Sequence, residues 1–139
     1  YDFNLKRIVP ETIVSALRGK KLIIRSSGKL KRDYIFVDDV CRAYYLIFNE
    51  LCKNKKNLVV YNLGSKYNLT TMQLVKKIYK SLKIKQNYEV KNNSKQEIKN
   101  QRLNYKKIRK DLKWIPKITI EKGLSKTVKW YKSNIHHFK

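Results

Sequence analysis

The catalytic inventory of this chain is short. Tyr79 and Lys83 stand four apart, the spacing at which a lysine can lower the pKa of a catalytic tyrosine. With 10 Tyr and 27 Lys in 139 residues, chance alone places about two such pairs. Tyr79 also falls mid-helix beside the apolar residue Ile78, so its expected role is structural. The four glycines, Gly19, Gly28, Gly64 and Gly123, build no G-x-G-x-x-G and no phosphate-cradling Walker loop. No H-E-x-x-H and no nucleophile elbow occurs. His136-His137 sits in the C-terminal tail with no metal-ligand spacing around it. Cys41 and Cys52 fall on one expected helix, roughly 16 Å apart at helical rise, too far for a disulfide. Reduced thiols fit a cytoplasmic protein. The stretch that carries information is Lys31-Arg32-Asp33-Tyr34-Ile35-Phe36-Val37-Asp38-Asp39-Val40.

The elements that must position these residues follow from pattern. Pro10 opens a short helix to residue 18, with Ile13 and Leu17 on one face and Gly19 as terminator. Lys21 to Arg25 is an apolar strand, and Tyr34 to Val37 a second one. Asp38 or Asp39 is expected to cap a helix to about Lys53, with Val40, Ala43, Tyr44, Ile47 and Leu51 inward. Leu58 to Leu63 is β-branched and aromatic, a strand closed by Gly64. Thr70-x-x-Gln73 has the form of a capping box ahead of Leu74, Ile78 and Leu82. A strand is expected around Tyr88–Val90, a short helix after Asn104, and a last helix from Thr119 with Ile120, Leu124, Val128 and Tyr131 inward. Helices alternating with strands imply a layered α/β fold.

Composition limits the classes. A hydrophobic fraction of 42% is enough for a packed core, and no apolar run is long enough to span a membrane. The net charge of +24 invites a nucleic-acid reading. Only 7 of the 34 basic residues are Arg, however, and Lys, Asn, Ile and Tyr make up 63 of 139 residues. All four have A/T-rich codons, so base composition of the genome is the simpler account. A specific nucleic-acid partner is not expected. The first residue is Tyr, and the chain is expected to be a piece of something longer.

Arg32-Asp33-Tyr34-Ile35-Phe36-Val37-Asp38-Asp39-Val40 resembles the signature in the C-terminal half of the extended short-chain dehydrogenase/reductases, the NAD-dependent nucleotide-sugar epimerases and 4,6-dehydratases. Further pieces agree in order: Asp2-Phe3-Asn4 with Arg7-Ile8-Val9-Pro10, Leu22 to Gly28, Val60-Tyr61-Asn62-Leu63-Gly64-Ser65, Leu112-Lys113-Trp114-x-Pro116, and Ile120 to Leu124 with Thr127 to Tyr131. Residues 2–134 are covered. Glu97-Ile98-x-x-Gln101-x-Leu103 is most similar to the CDP-glucose 4,6-dehydratase branch.

The resemblance implies that residues 1–139 are the substrate-binding half of a Rossmann-type α/β enzyme, with a mixed small sheet and helices. It also implies a late strand of the Rossmann sheet near 58–63. The NAD-binding half, with its glycines and its catalytic Tyr-x-x-x-Lys, would lie upstream and be absent here. NAD is the implied cofactor, most of its site lying outside this chain, and no catalytic residue falls within it. Implied partners are a nucleotide-sugar, the N-terminal half of the same protein, and a second copy in a homodimer when complete. The implied role is in making precursors of cell-surface polysaccharides. Arg32 is placed on the substrate's diphosphate, where a guanidinium fork fits phosphate oxygens. Arg25 is placed where the family loop reaches the nucleotide. Asn4 is placed to bond the nucleotide or close a loop, and Arg7 to contact ligand or open a helix.

Three positions depart from the family pattern. The phosphate-binding Arg usual before the residue matched by Glu97 is missing, and Lys95 could supply charge there without the fork. Lys113 stands where Gly is usual, and Asn104 where Asp is commoner. Of the other lysines, Lys6, Lys31 and Lys113 are expected near the site.

Overall fold

The computed structural model describes residues 2–54, 58–93 and 98–138. The order is α1 (Ile8–Leu17), β1 (Leu22–Ile24), β2 (Lys31–Asp33), α2 (Val37–Asn54), β3 (Asn68–Thr70), α3 (Thr71–Leu82), β4 (Tyr88–Val90), α4 (Lys106–Leu112), α5 (Ile120–Ser133) and a 3-10 turn (Ile135–His137). The α/β expectation holds, as two separate two-stranded ladders rather than one mixed sheet. β1 pairs parallel with β4, Leu22 facing Tyr88, and β2 pairs antiparallel with β3, Arg32 facing Leu69.

The main core lies between α1, α3 and α5, with β1 against it. Ile13, Val14, Leu22, Ile24, Leu74, Val75, Ile78, Leu82, Leu124, Val128 and Tyr131 are all buried there. The helical stripes read from sequence fix this layer. Thr70 forms the complete capping box: Gln73 N donates to Thr70 Oγ1 at 3.1 Å, and Thr70 N donates to Gln73 Oε1 at 2.8 Å. Thr119 caps α5 by accepting from Lys122 N. Tyr79 is buried in the core and its phenol donates to Asn87 O at 2.8 Å, a structural use of the residue. Pro10 is the third residue of α1 rather than the first, still within the turn whose N–H groups lack partners. A second, smaller core gathers Ala43, Ile108 and Trp114 under α2 and α4.

Four expectations need correction. The second strand is Lys31–Asp33, not Tyr34–Val37, because β3 and the bonds to Asp33 fix the pairing there. Helix α2 begins at Val37, so Asp39 lies inside its first turn and turns its carboxylate to a distant loop instead of capping. Tyr44 is 67% exposed, turned away from the buried side that holds Ala43. Residues 58–63 form no ladder among the described residues, although their exposure alternates as a strand's does. A strand exists by pairing, and no described segment offers this stretch a backbone edge.

Candidate functional site

Two clefts receive the residues singled out by sequence. The smaller, about 220 Å³, lies where the end of β1 meets β2 and the starts of α1 and α3. Arg25 and Arg32 both line it, with Lys6, Ser26, Tyr34 and Thr71. Each arginine is aimed by the backbone. Arg32 Nη1 donates to Lys31 O at 2.9 Å and to Ile98 O at 2.6 Å. Arg25 Nη2 donates to Lys6 O at 3.1 Å and lies 3.7 Å from Glu11 Oε2. Burial pushes the Tyr34 phenol above its ordinary pKa, and the nearby Arg32 charge partly offsets this. Burial likewise raises the Glu11 carboxyl, with Arg25 opposing.

The larger cleft, about 1080 Å³, runs between the segment before α2 and α5. Four of its charged groups are closed on one another: Arg7 pairs with Asp2 at 3.1 Å, and Lys126 with Asp38 at 2.7 Å. Size alone does not mark a site. The smaller cleft is lined by two guanidiniums, groups that suit an anionic ligand, so the functional reading rests there.

The remaining predicted residues are not gathered with them. Asn4 accepts from Lys6 N through Oδ1 and from Arg7 N through its carbonyl, which closes the loop before α1. Arg7 lines the larger cleft and stands at the N-cap of α1. Lys95 lies outside the described residues, as does Glu97. Lys113 Nζ donates to Lys110 O at the end of α4. Sequence reasoning missed Glu11, Ser26 and Thr71 as lining residues. Nothing in the sequence marked Glu11 beyond its place one helical turn after Arg7.

The acidic members of the motif hold the scaffold around Arg32. Asp33 Oδ1 accepts from Ser65 N and Oγ, and Oδ2 from Leu103 N. That clamp ties β2 to the loops on both sides. A Cβ on Gly64 would meet Leu103 O at 2.7 Å and Asp33 Oδ2 at 2.9 Å, so this position accepts no side chain. Asp39 is 1% exposed and accepts from Lys117 N and Ile118 N, both at 2.9 Å, and from Arg42. Burial pushes its carboxyl up, but these donors outweigh it and hold the group below the ordinary carboxylate range. Trp114 donates to Asp39 O, so the "L-x-W-x-P" segment is fastened to the start of α2.

The GDP-mannose 4,6 dehydratase family model matches residues 2–127. The chain belongs to that family. It is 33% identical to a dTDP-glucose 4,6-dehydratase of Haemophilus influenzae, over 94% of this chain and 41% of the relative. The solved dTDP-glucose 4,6-dehydratase of Bacillus anthracis, in complex with NAD, superposes with a TM-score of 0.82 at 29% identity, over 95% of this chain and 41% of that one. A UDP-glucose 4-epimerase of Thermotoga maritima with UDP-glucose superposes with a TM-score of 0.81 at 29% identity, over 93% and 40%. The chain therefore spans about two-fifths of the length of the curated relatives it matches.

The family implies NAD, and two packed glycines among the described residues do not fit a dinucleotide phosphate. Gly64 packs against Leu103 and Asp33, and Gly123 against Phe36, where a Cβ would stand 2.9 Å from the ring. Neither opens a helix N-terminus to a dinucleotide phosphate. Among the described residues no helix is long and apolar enough to cross a membrane, and no group of three His, Cys, Asp or Glu could hold a metal ion.

Proposed function

We propose that this chain is the nucleotide-sugar-binding part of an NAD-dependent 4,6-dehydratase or epimerase that serves cell-surface polysaccharide precursors in the cytoplasm. The convergence of Arg25 and Arg32 on one cleft carries the reading. The two guanidinium forks can take phosphate oxygens and the polar edge of a nucleoside, and the apolar side chains of Ile8 and Ile23 line the same cleft. Bound there, the nucleotide anchors a sugar whose reacting carbon extends toward groups outside this chain. Binding energy at the nucleotide orients the remote carbon, the usual way such enzymes lower a barrier. Asn4 keeps the loop before α1 closed, Arg7 guards the larger cleft, and Lys95 adds positive charge beyond the described part.

The rest of the protein is the second part of the proposal. The exposed face of α2 carries Val37, Tyr44, Tyr45 and Phe48, each more than half exposed. Leu58 and Val60 are also exposed, on the stretch that forms no ladder here. A nucleotide-binding half that supplies a sheet edge would cover this surface and turn residues 58–63 into its last strand. The NAD site belongs to that half, and a homodimer to the complete protein. Nothing in the clefts favours nucleic acid over a nucleotide.

Arg32 is the test. In the full-length protein, Arg32→Ala is expected to weaken nucleoside diphosphate binding by about 1.5–3 kcal/mol, the worth of a charge-assisted contact. Arg32→Lys keeps the charge without the fork and should lose less. Calorimetry gives the affinities, and an unchanged Kd for Arg32→Ala would remove this cleft from the substrate site.

A further inference from the structure

Among the described residues that line the Arg25–Arg32 cleft, Glu11 is the single carboxylate. Its side chain is 26% exposed, and its Oε2 lies 3.7 Å from Arg25 Nη2. For a cleft whose task is only to hold phosphates, this residue is a defect. A fixed negative charge repels phosphate oxygens, and it engages one of the two guanidiniums meant to attract them. Repulsive elements of this kind are a standard way to exclude a wrong pose.

The local surroundings give Glu11 a better use. Arg25 is steadied by Lys6 O on the same nitrogen that faces Glu11. The two side chains thus set an acceptor beside a donor on one wall. Ile8 and Ile23 line the same cleft with apolar surface. An acceptor and a donor side by side match the edge of a nucleobase, which offers ring N–H or amino donors beside carbonyl or ring-nitrogen acceptors. A phosphate offers acceptors alone.

We propose that Glu11 is a specificity-determining residue. It converts the Arg25 end of the cleft from a phosphate subsite into one that reads the hydrogen-bond donors of a nucleoside. The ligand then lies in one direction, base against Glu11 and Arg25, phosphates toward Arg32. This inference rests on the reading of the cleft as a nucleotide site.

The experiment is calorimetry on the full-length protein with uridine, cytidine, thymidine and guanosine diphosphates, and with inorganic pyrophosphate. The proteins are the wild type, Glu11→Gln, Glu11→Asp and Arg32→Ala, each checked for an unchanged thermal unfolding profile. Glu11→Gln is expected to weaken the tightest nucleoside diphosphate at least fivefold and to leave pyrophosphate unchanged or tighter. Glu11→Asp, which keeps the charge, should recover part of the loss. Equal shifts of both ligand types in Glu11→Gln would overturn the proposal, since Glu11 would then act only on the overall charge of the cleft. A tighter nucleoside diphosphate in Glu11→Gln would overturn it too. If Arg32→Ala leaves every affinity unchanged, the cleft is not the nucleotide site and both readings fall together. If Arg32→Ala weakens all ligands while Glu11→Gln does not separate them, the site stands and the role of Glu11 does not.

Discussion

At the scale of single residues, the motif around Arg32 divides its labour. The arginine faces a cleft, and the carboxylates beside it hold the walls. Asp33 and Asp39 together fasten the loops at 65, 103 and 117–118, none of which is adjacent in sequence. Arg32 and Arg25 were singled out by the family resemblance, and both line one cleft. The clamps were not, because their partners lie about 30 to 80 residues away and are mostly backbone N–H groups that leave no mark in the sequence. Asp39 yields a prediction. Asp39→Asn puts an amide N–H₂ among donors and should cost about 1–3 kcal/mol of stability at neutral pH, measured by urea denaturation. Its folded pKa is lowered, so its contribution is present above the ordinary carboxylate range and is lost as pH falls through and below that range. The gap between wild type and variant should therefore narrow in acid. A constant gap from pH 7 down to pH 3 would show that the charge of Asp39 adds nothing.

At the scale of elements, helices were readable and strands only in part: β1 and β4 lie where expected, while β2 was misplaced and β3 not foreseen. Stripes such as Leu74, Ile78 and Leu82 repeat over several turns, and caps such as Thr70 and Thr119 have side chains that name their role. The strands are three residues each, too short for alternation to show a period. Their ends are set by partners. Helix ends also predict outcomes. Thr70→Ala removes one half of a capping box and should cost about 1 kcal/mol by thermal or urea unfolding. Lys113 ends α4 at φ 52, the left-handed region, at the position where Gly is usual. A side chain there costs about 1–2 kcal/mol, and the greater freedom of Gly in the unfolded chain returns part of it. Lys113→Gly should stabilise the protein by about 0.5–1 kcal/mol, and a lower unfolding midpoint would contradict the strain argument.

At the scale of the whole molecule, the surface is the informative part. Charged residues are a third of the sequence, yet α2 turns an apolar face outward over Val37, Tyr44, Tyr45 and Phe48. The spacing is helical, so one partner can cover all four at once. A monomer with that much contiguous apolar surface is exceptional, and such patches mark places where something binds. Sequence periodicity could not separate this face from the one that holds Ala43, because both carry apolar side chains. The curated relatives that the chain matches are more than twice its length. In the full-length protein, Tyr44→Asp with Phe48→Asp tests the cover. If the face is buried against the rest of the protein, two carboxylates placed there without partners should destabilise it by several kcal/mol, read as a lower urea midpoint. If the face meets water in the whole protein, exposed substitutions of this kind stay within about 0.5 kcal/mol of the parent. Amide hydrogen exchange at Val59 to Leu63 gives an independent reading. Slow exchange there in the full-length protein would mark a paired strand, and fast exchange would leave residues 58–63 as the loop they form here.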